Sequence, residues 1–280
     1  MRYLVDGLGE TAGGDLLLGV APLFLYNDTA YVDSASGTDA AGYGTPERPC
    51  ATVGYALNTV LGAGATIEGA IIVLAPTHDE TIANTLNFTT VSNRACTIIG
   101  VGTTAGRPSA KLRLNAAAGE MFIVNRSGVE FRNIYFPEKV VDNASATIAV
   151  QRSCRITGCW FDCGIHDTGT AVSVASTTGP VTFEDTTFLC TAPTCAVRPL
   201  NAIVTVAASS TPELYMEGVT FDGGLYNWSG YAMDQSPANV SIQRLFNIAL
   251  LNGADIYIHA NTTGFTHVSQ ATGGARVVHP

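Results

Sequence analysis

One eight-residue pattern recurs along the chain and constrains its fold more than any other feature. It runs apolar, any, apolar, any, turn residue, apolar, any, Phe. It reads Val129-Glu-Phe131-Arg-Asn133-Ile134-Tyr-Phe136, then Cys154-Arg-Ile156-Thr-Gly158-Cys159-Trp-Phe161. It continues as Val181-Thr-Phe183-Glu-Asp185-Thr186-Thr-Phe188 and Leu214-Tyr-Met216-Glu-Gly218-Val219-Thr-Phe221. A weaker copy, Cys96-Thr-Ile98-Ile-Gly100-Val101, precedes these, and a degraded one, Val240-Ser-Ile242-Gln-Arg244-Leu245, follows. The third positions, 98, 131, 156, 183, 216 and 242, are separated by 33, 25, 27, 33 and 26 residues. A recurrence on this scale signals stacked structural repeats.

The pattern has a direct physical reading. Alternation of period two makes a strand, with positions one, three, six and eight on one face. In the four full copies the fifth position holds Asn, Gly or Asp, the residues that tolerate a left-handed backbone. One such residue between two short strands turns a corner without reversing the chain. Each period also carries an earlier apolar segment, at 122–124, 147–150, 171–174 and 202–206. About three strands per period predict one coil of a parallel β-solenoid, an all-β fold. No amphipathic helix recurs with the period, so βαβ units are excluded. The 33 Thr and 29 Gly, against only 14 Lys plus Arg, agree with β structure and oppose a long helical chain. A chain that is 46% hydrophobic is too apolar for disorder.

Ahead of the repeats stand Tyr31-Val-Asp-Ser-Ala-Ser-Gly-Thr-Asp39, Gly44-Thr-Pro-Glu-Arg-Pro49 and Ala51-Thr-Val-Gly-Tyr-Ala-Leu-Asn-Thr-Val60. The last segment predicts a short helix. Thr52 serves as N-cap, Val53, Ala56, Leu57 and Val60 form one face, and Gly62 ends it. With these segments and the repeats, residues 30–260 resemble the right-handed parallel β-helix, or pectin-lyase-like, superfamily. The resemblance implies a right-handed solenoid whose open end is closed by the capping helix, which protects an edge that would otherwise template aggregation. It says little of function, because the fold serves enzymes and viral appendages alike. The expected organisation is an N-terminal arm at 1–30, an entry segment with the capping helix at 31–62, and the β-helix at 63–280.

Composition removes several function classes. A net charge of −9 opposes nucleic-acid binding, which runs on Lys and Arg neutralising phosphates. No apolar run reaches the roughly 18–20 residues of a membrane helix, so membrane insertion is not expected. The N-terminal stretch is interrupted by Asp6, Glu10, Asp15 and glycines and does not read as a secretory signal. The seven Cys lack CxxC or zinc-ligand spacing and read as buried thiols, with Cys163–Cys190 or Cys190–Cys195 as disulfide alternatives. The string Gly100-Val-Gly102-Thr-Thr-Ala-Gly106 lacks the Lys of a phosphate loop and runs into Pro108. No cofactor and no metal site is expected.

The candidate chemistry lies on outward positions. Glu130 and Arg155 share position two in successive coils and suit an ion pair. Glu184 and Glu217 share position four, a spacing that fits a retaining-glycosidase pair, half of a Ca²⁺ site or two solvated carboxylates. Asp162 and Asp222 share position nine two coils apart, an inverting spacing. No Arg or Lys is expected beside these acids to act as a lyase base, so no catalytic residue is assigned. His78-Asp79-Glu80 is a polar cluster at an early turn. Tyr135 and Trp160 share position seven and face outward, suited to a neighbouring subunit or a sugar ring.

Leu16, Leu17, Leu18, Leu23 and Phe24 give the arm an apolar, partner-binding character. From these features the expected protein is a non-enzymatic structural component of a virus particle. It would be a bacteriophage capsid decoration or cement protein, or a tailspike-like appendage, assembled in the host cytoplasm. Its partners would be other virion proteins, reached through the arm. Analogy with viral β-helices adds a homotrimer. The alternative is a carbohydrate-active enzyme, a polysaccharide lyase or hydrolase such as a phage depolymerase, or a module that binds a host glycan.

Overall fold

The computed structural model describes residues 29–62, 69–88, 95–115, 119–140, 145–164, 170–174, 179–191, 204–206, 213–225, 233–234, 242–257 and 263–278. It is all-β apart from one short helix, and most of its strands run parallel in large sheets, an arrangement consistent with a β-solenoid. Three walls can be traced. The first stacks Thr29–Val32, Ala70–Leu74, Cys96–Gly100, Val129–Arg132, Cys154–Thr157, Pro180–Glu184, Glu213–Glu217 and Ile242–Leu251. The second stacks Asp79–Ile82, Lys111–Leu114, Tyr135–Phe136, Trp160–Cys163, Thr187–Cys190 and Thr220–Asp222, and joins the first through Ile242–Leu251. The third is a separate eight-stranded sheet running from Leu86–Asn87 to Val277–Val278.

The repeat positions align in register. Ala30, Ile72, Ile98, Phe131, Ile156, Phe183, Met216 and Leu245 are successive partners down the first wall, and all are buried. The repeat therefore begins two strands earlier than the sequence pattern showed, at Ala30 and Ile72. Its last copy is displaced: Met216 pairs with Leu245, while Ile242 pairs with Glu213. The displaced copy recovers its own corner, because Asn247 has φ 55°.

The corners follow the pattern. Asn133, Gly158, Asp185 and Gly218 have φ of 51°, 61°, 46° and 65°. Their N–H groups point along the stack. Each donates to a carbonyl of the next strand, Asn133 to Thr157, Gly158 to Glu184, Asp185 to Glu217 and Gly218 to Phe246. The Asn133 side chain adds bonds from Nδ2 to the Gly100 carbonyl at 2.7 Å and the Gly102 carbonyl at 3.1 Å. A buried corner backbone thus keeps its hydrogen bonds while changing direction.

Between the walls lies a continuous apolar core. Phe136, Phe161, Phe188 and Phe221 form a ladder with ring centroids 4.6, 4.9 and 5.2 Å apart and planes within 15° of parallel. The spacing is that of neighbouring strands, so a parallel register turns one Phe per coil into a stack. Cys96, Cys154 and Cys159 are buried in the same core. Burial raises all three thiols, Cys96 and Cys159 to about 12, which favours the protonated form at neutral pH.

The helix forms where it was expected. Helix α1 (Val53–Tyr55) continues into one π-helical turn, Ala56–Val60. Val53, Ala56, Leu57 and Leu61 are buried, and Val60 packs against the core. Thr52 Oγ1 accepts a bond from the Tyr55 N–H at 3.1 Å and donates to Asp39 Oδ2 at 2.7 Å. The segment before the helix covers the first strand, through Cys50 N–H to the Tyr31 carbonyl and Asp33 N–H to the Cys50 carbonyl. Thr52→Ala is expected to lower stability by about 1 kcal/mol. A chemical-denaturation midpoint identical to wild type would show that this cap contributes nothing.

His78-Asp79-Glu80 belongs to the same end. The buried His78 ring accepts the Ser34 N–H at Nδ1, 3.0 Å away, so this network assigns the ring proton to Nε2. Nε2 faces Glu80 Oε2 at 3.1 Å, and that oxygen also accepts the Val53 N–H at 2.8 Å. Asp33 closes the cluster. Burial raises its carboxyl, but bonds from Ser36, Ala35 and Thr77 outweigh this and hold it below its ordinary value. The cluster ties the segment from Asp33 to Ser36 and helix α1 to the strand Asp79–Ile82.

Candidate functional site

The outer face of the second wall carries the densest arrangement of polar and aromatic side chains. Tyr135 and Trp160 are register partners on adjacent parallel strands, so their side chains emerge side by side. Both are half-buried because a hairpin folds over them. The hairpin pairs Thr103–Thr104 antiparallel with Arg107–Pro108. Its two turn residues, Ala105 and Gly106, both have positive φ, 52° and 81°, as a type I′ turn requires. The turn delivers Arg107 to the aromatic pair. Its guanidinium carbon lies 4.5 Å from the Trp160 ring centroid and 5.6 Å from that of Tyr135, within cation–π range.

Asp162 sits at the centre. Trp160 Nε1 donates to its Oδ1 at 2.8 Å, and the Tyr135 hydroxyl donates to its Oδ2. Arg107 reaches Oδ2 at 3.3 Å and the Tyr135 oxygen at 3.4 Å. Three side-chain donors thus converge on one largely buried carboxylate. Burial, reinforced by the Asp162 bond and charge, pushes the Tyr135 phenol up to about 12 against the opposing Arg107 charge. The folded value therefore exceeds the ordinary value of 10.0. The stabilisation is fully present below about pH 10 and disappears as pH rises through about 12. Spectrophotometric titration is expected to show a late-ionising tyrosine that Tyr135→Phe removes. An unchanged titration in the variant would contradict this geometry.

Beside the cluster lies an open groove of about 490 Å³, lined by Arg113, Tyr135, Glu138, Lys139, Val140 and Asp162 among others. Lys139 is buried and donates to the Ser145 carbonyl at 2.8 Å. Arg113 and Lys111 contact Asp79 at 3.7 and 3.3 Å.

The other outward acids keep the register expected of them but not the isolation. Glu184 and Glu217 are direct partners, and Asp162 and Asp222 are related through Leu189. Basic side chains do stand beside two of these acids, contrary to expectation. Arg155 bonds Glu184, and Arg107 bonds Asp162. Arg155 approaches its expected partner Glu130 only at 4.0 Å, while Glu130 takes Arg132 at 2.8 Å. Asp222 accepts from the Gly224 N–H at 2.8 Å and from Asn252 Nδ2 at 2.6 Å, which ties it into two turns. Cys163 and Cys190 are register partners, but both remain thiols and form no disulfide. Cys195 and the arm residues Leu16, Leu17, Leu18, Leu23 and Phe24 lie outside the described residues.

Arg107 is the residue that sequence reasoning missed. The glycine-rich string before it forms the hairpin, and its Ala-Gly pair is the turn signal that points to it. Among the described residues no group of three or more His, Cys, Asp or Glu is placed to hold a metal ion, and no helix is long and apolar enough to cross a membrane. No protein family, no curated protein and no solved structure matches this chain.

Proposed function

We propose that the chain is a right-handed parallel β-helix of the pectin-lyase-like kind, acting as a non-enzymatic structural protein of a virus particle. In this reading it is a bacteriophage capsid decoration or cement protein, or a tailspike-like appendage, built as a homotrimer and held on the particle by its N-terminal arm. The observation that carries the non-enzymatic part is the state of the outward acids. Asp162 accepts from three side chains, Glu184 is held by Arg155, and Asp222 is held by two turns. These carboxylates brace the walls, which suits a protein that must survive as a scaffold. The virion assignment draws on the charge-poor chain, 13% charged, whose flanks suit burial by partners. Mass spectrometry of purified particles is expected to find the chain in stoichiometric amount, and light scattering to give three times 29.2 kDa. Absence from particles, or a monomeric mass, would remove the respective part of the proposal.

A second reading, a glycan-binding or glycan-cleaving protein, has the groove beside Asp162 in its favour. Cleavage of a polysaccharide panel, lost in Asp162→Asn with the fold intact by circular dichroism, would establish it in place of the first.

A further inference from the structure

The groups around Arg107 are those that recognise a guanidinium from any source: an indole face, a phenol and a buried carboxylate. We propose that Tyr135, Trp160 and Asp162 form a guanidinium receptor, filled by Arg107 in the isolated chain and taken over by an arginine of a basic partner protein when the hairpin lifts. The inference stands on the geometry of the cluster and not on the virion reading.

Three observations carry it. First, wall residues other than Arg107 hold the carboxylate. Trp160 Nε1 and the Tyr135 hydroxyl, both on strands of the second wall, already orient the Asp162 carboxylate. Second, the present occupant is loosely engaged. Arg107 makes the longest contacts of the cluster, 3.3 and 3.4 Å, and its side chain is 37% exposed. It stands on a hairpin of two residue pairs, whose Thr103 and Thr104 are exposed and whose Gly106 has open space beside it. A two-stranded ribbon of this size is marginal by itself, whereas the receptor belongs to a wall of many strands. Third, the chain carries 23 acidic against 14 basic residues, so it attracts a basic partner over a distance. Arginine fits better than lysine because a planar guanidinium stacks on the indole while bonding the carboxylate edge-on. A sugar ring fits less well, because stacking on Trp160 would have to displace a cation from a buried carboxylate.

The test uses the full chain carrying Trp228→Phe, so that indole fluorescence and the indole N–H resonance report Trp160. Acetyl-arginine amide, acetyl-lysine amide and the neutral isostere acetyl-citrulline amide are the probes. In Arg107→Ala, acetyl-arginine amide is expected to bind saturably, at least about tenfold more tightly than the lysine probe, with no response to citrulline. In the chain retaining Arg107 the same probe is expected to need at least about tenfold higher concentration, because Arg107 competes. Adding Asp162→Asn to Arg107→Ala is expected to abolish binding. Tyr135→Phe in the same background, which keeps the ring, is expected to weaken it several-fold. Equal binding with and without Arg107, an equal response to citrulline, or a response only to neutral oligosaccharides would overturn the proposal. The cluster would then be a pin for the hairpin, or a sugar platform.

Discussion

Phe188→Ala is expected to lower the unfolding free energy by about 4–5 kcal/mol, the largest effect of any single substitution considered. Phe188 is fully buried and lies between Phe161 and Phe221 in the ladder, with Phe183 at 6.1 Å on its flank. Removing a buried ring costs about 3–5 kcal/mol through lost transfer energy and the cavity left behind. Its three aromatic neighbours, Phe161, Phe221 and Phe183, place the cost at the upper end of that range. The neighbouring rings cannot collapse into the gap, because each is fixed by the hydrogen-bonded register of its own strand. Phe188→Leu, which keeps much of the volume, is expected to cost less than half as much. Chemical denaturation of the two variants checks both statements. A cost below about 1 kcal/mol for the alanine would mean that the ladder does not hold the walls together.

Gly218→Val is the second large effect, expected at about 2–3 kcal/mol. The corner has φ 65°, where an ordinary L-residue pays about 1–2 kcal/mol and a β-branched one more. A Cβ at this position would stand 2.4 Å from Asp185 Oδ1, the corner residue of the preceding coil. Both the Gly218 backbone and the Asp185 side chain must therefore shift. Gly218→Asn is expected to recover roughly half of the loss, because Asn occupies equivalent corners at 133 and 247 with φ near 50°. If valine and asparagine gave equal stabilities, left-handed strain would not be the cause.

What the sequence disclosed and what it hid divide along a physical line. Anything set by the backbone period was legible. Alternation identified the inward face, the fifth position gave the corners, and one Phe per coil gave the ladder, since parallel register converts spacing along the chain into contact across it. The terminal coil was misread because Ile242 and Leu245 are both apolar, and only the Asn247 corner distinguishes the two alignments. The first two strands escape the pattern because Val32 and Leu74 stand where the corner residue falls. The site was half legible. Tyr135 and Trp160 share a position and were bound to meet. Arg107 arrives from a hairpin between coils, and its place depends on a turn geometry that no repeat encodes. Arg155 illustrates the same limit. A long side chain can choose among acids on either side, and it bonds Glu184 in preference to its direct register partner Glu130.

In the proposed function, the stack of parallel strands is attached to a larger assembly by residues that precede Thr29. Among the described residues the stack begins at Thr29, whose strand pairs with Ala70–Leu74 on one edge and with Cys50 on the other. Leu16, Leu17, Leu18, Val20, Leu23, Phe24 and Leu25 bring seven large apolar side chains, each contributing roughly 1.5–3 kcal/mol if buried on a partner. The decisive measurement compares the full chain with one lacking residues 1–28, by thermal melting and by co-sedimentation with virus particles. The account predicts an unchanged melting transition and loss of co-sedimentation. A truncated chain that still sediments with particles, or one that no longer folds, would contradict it.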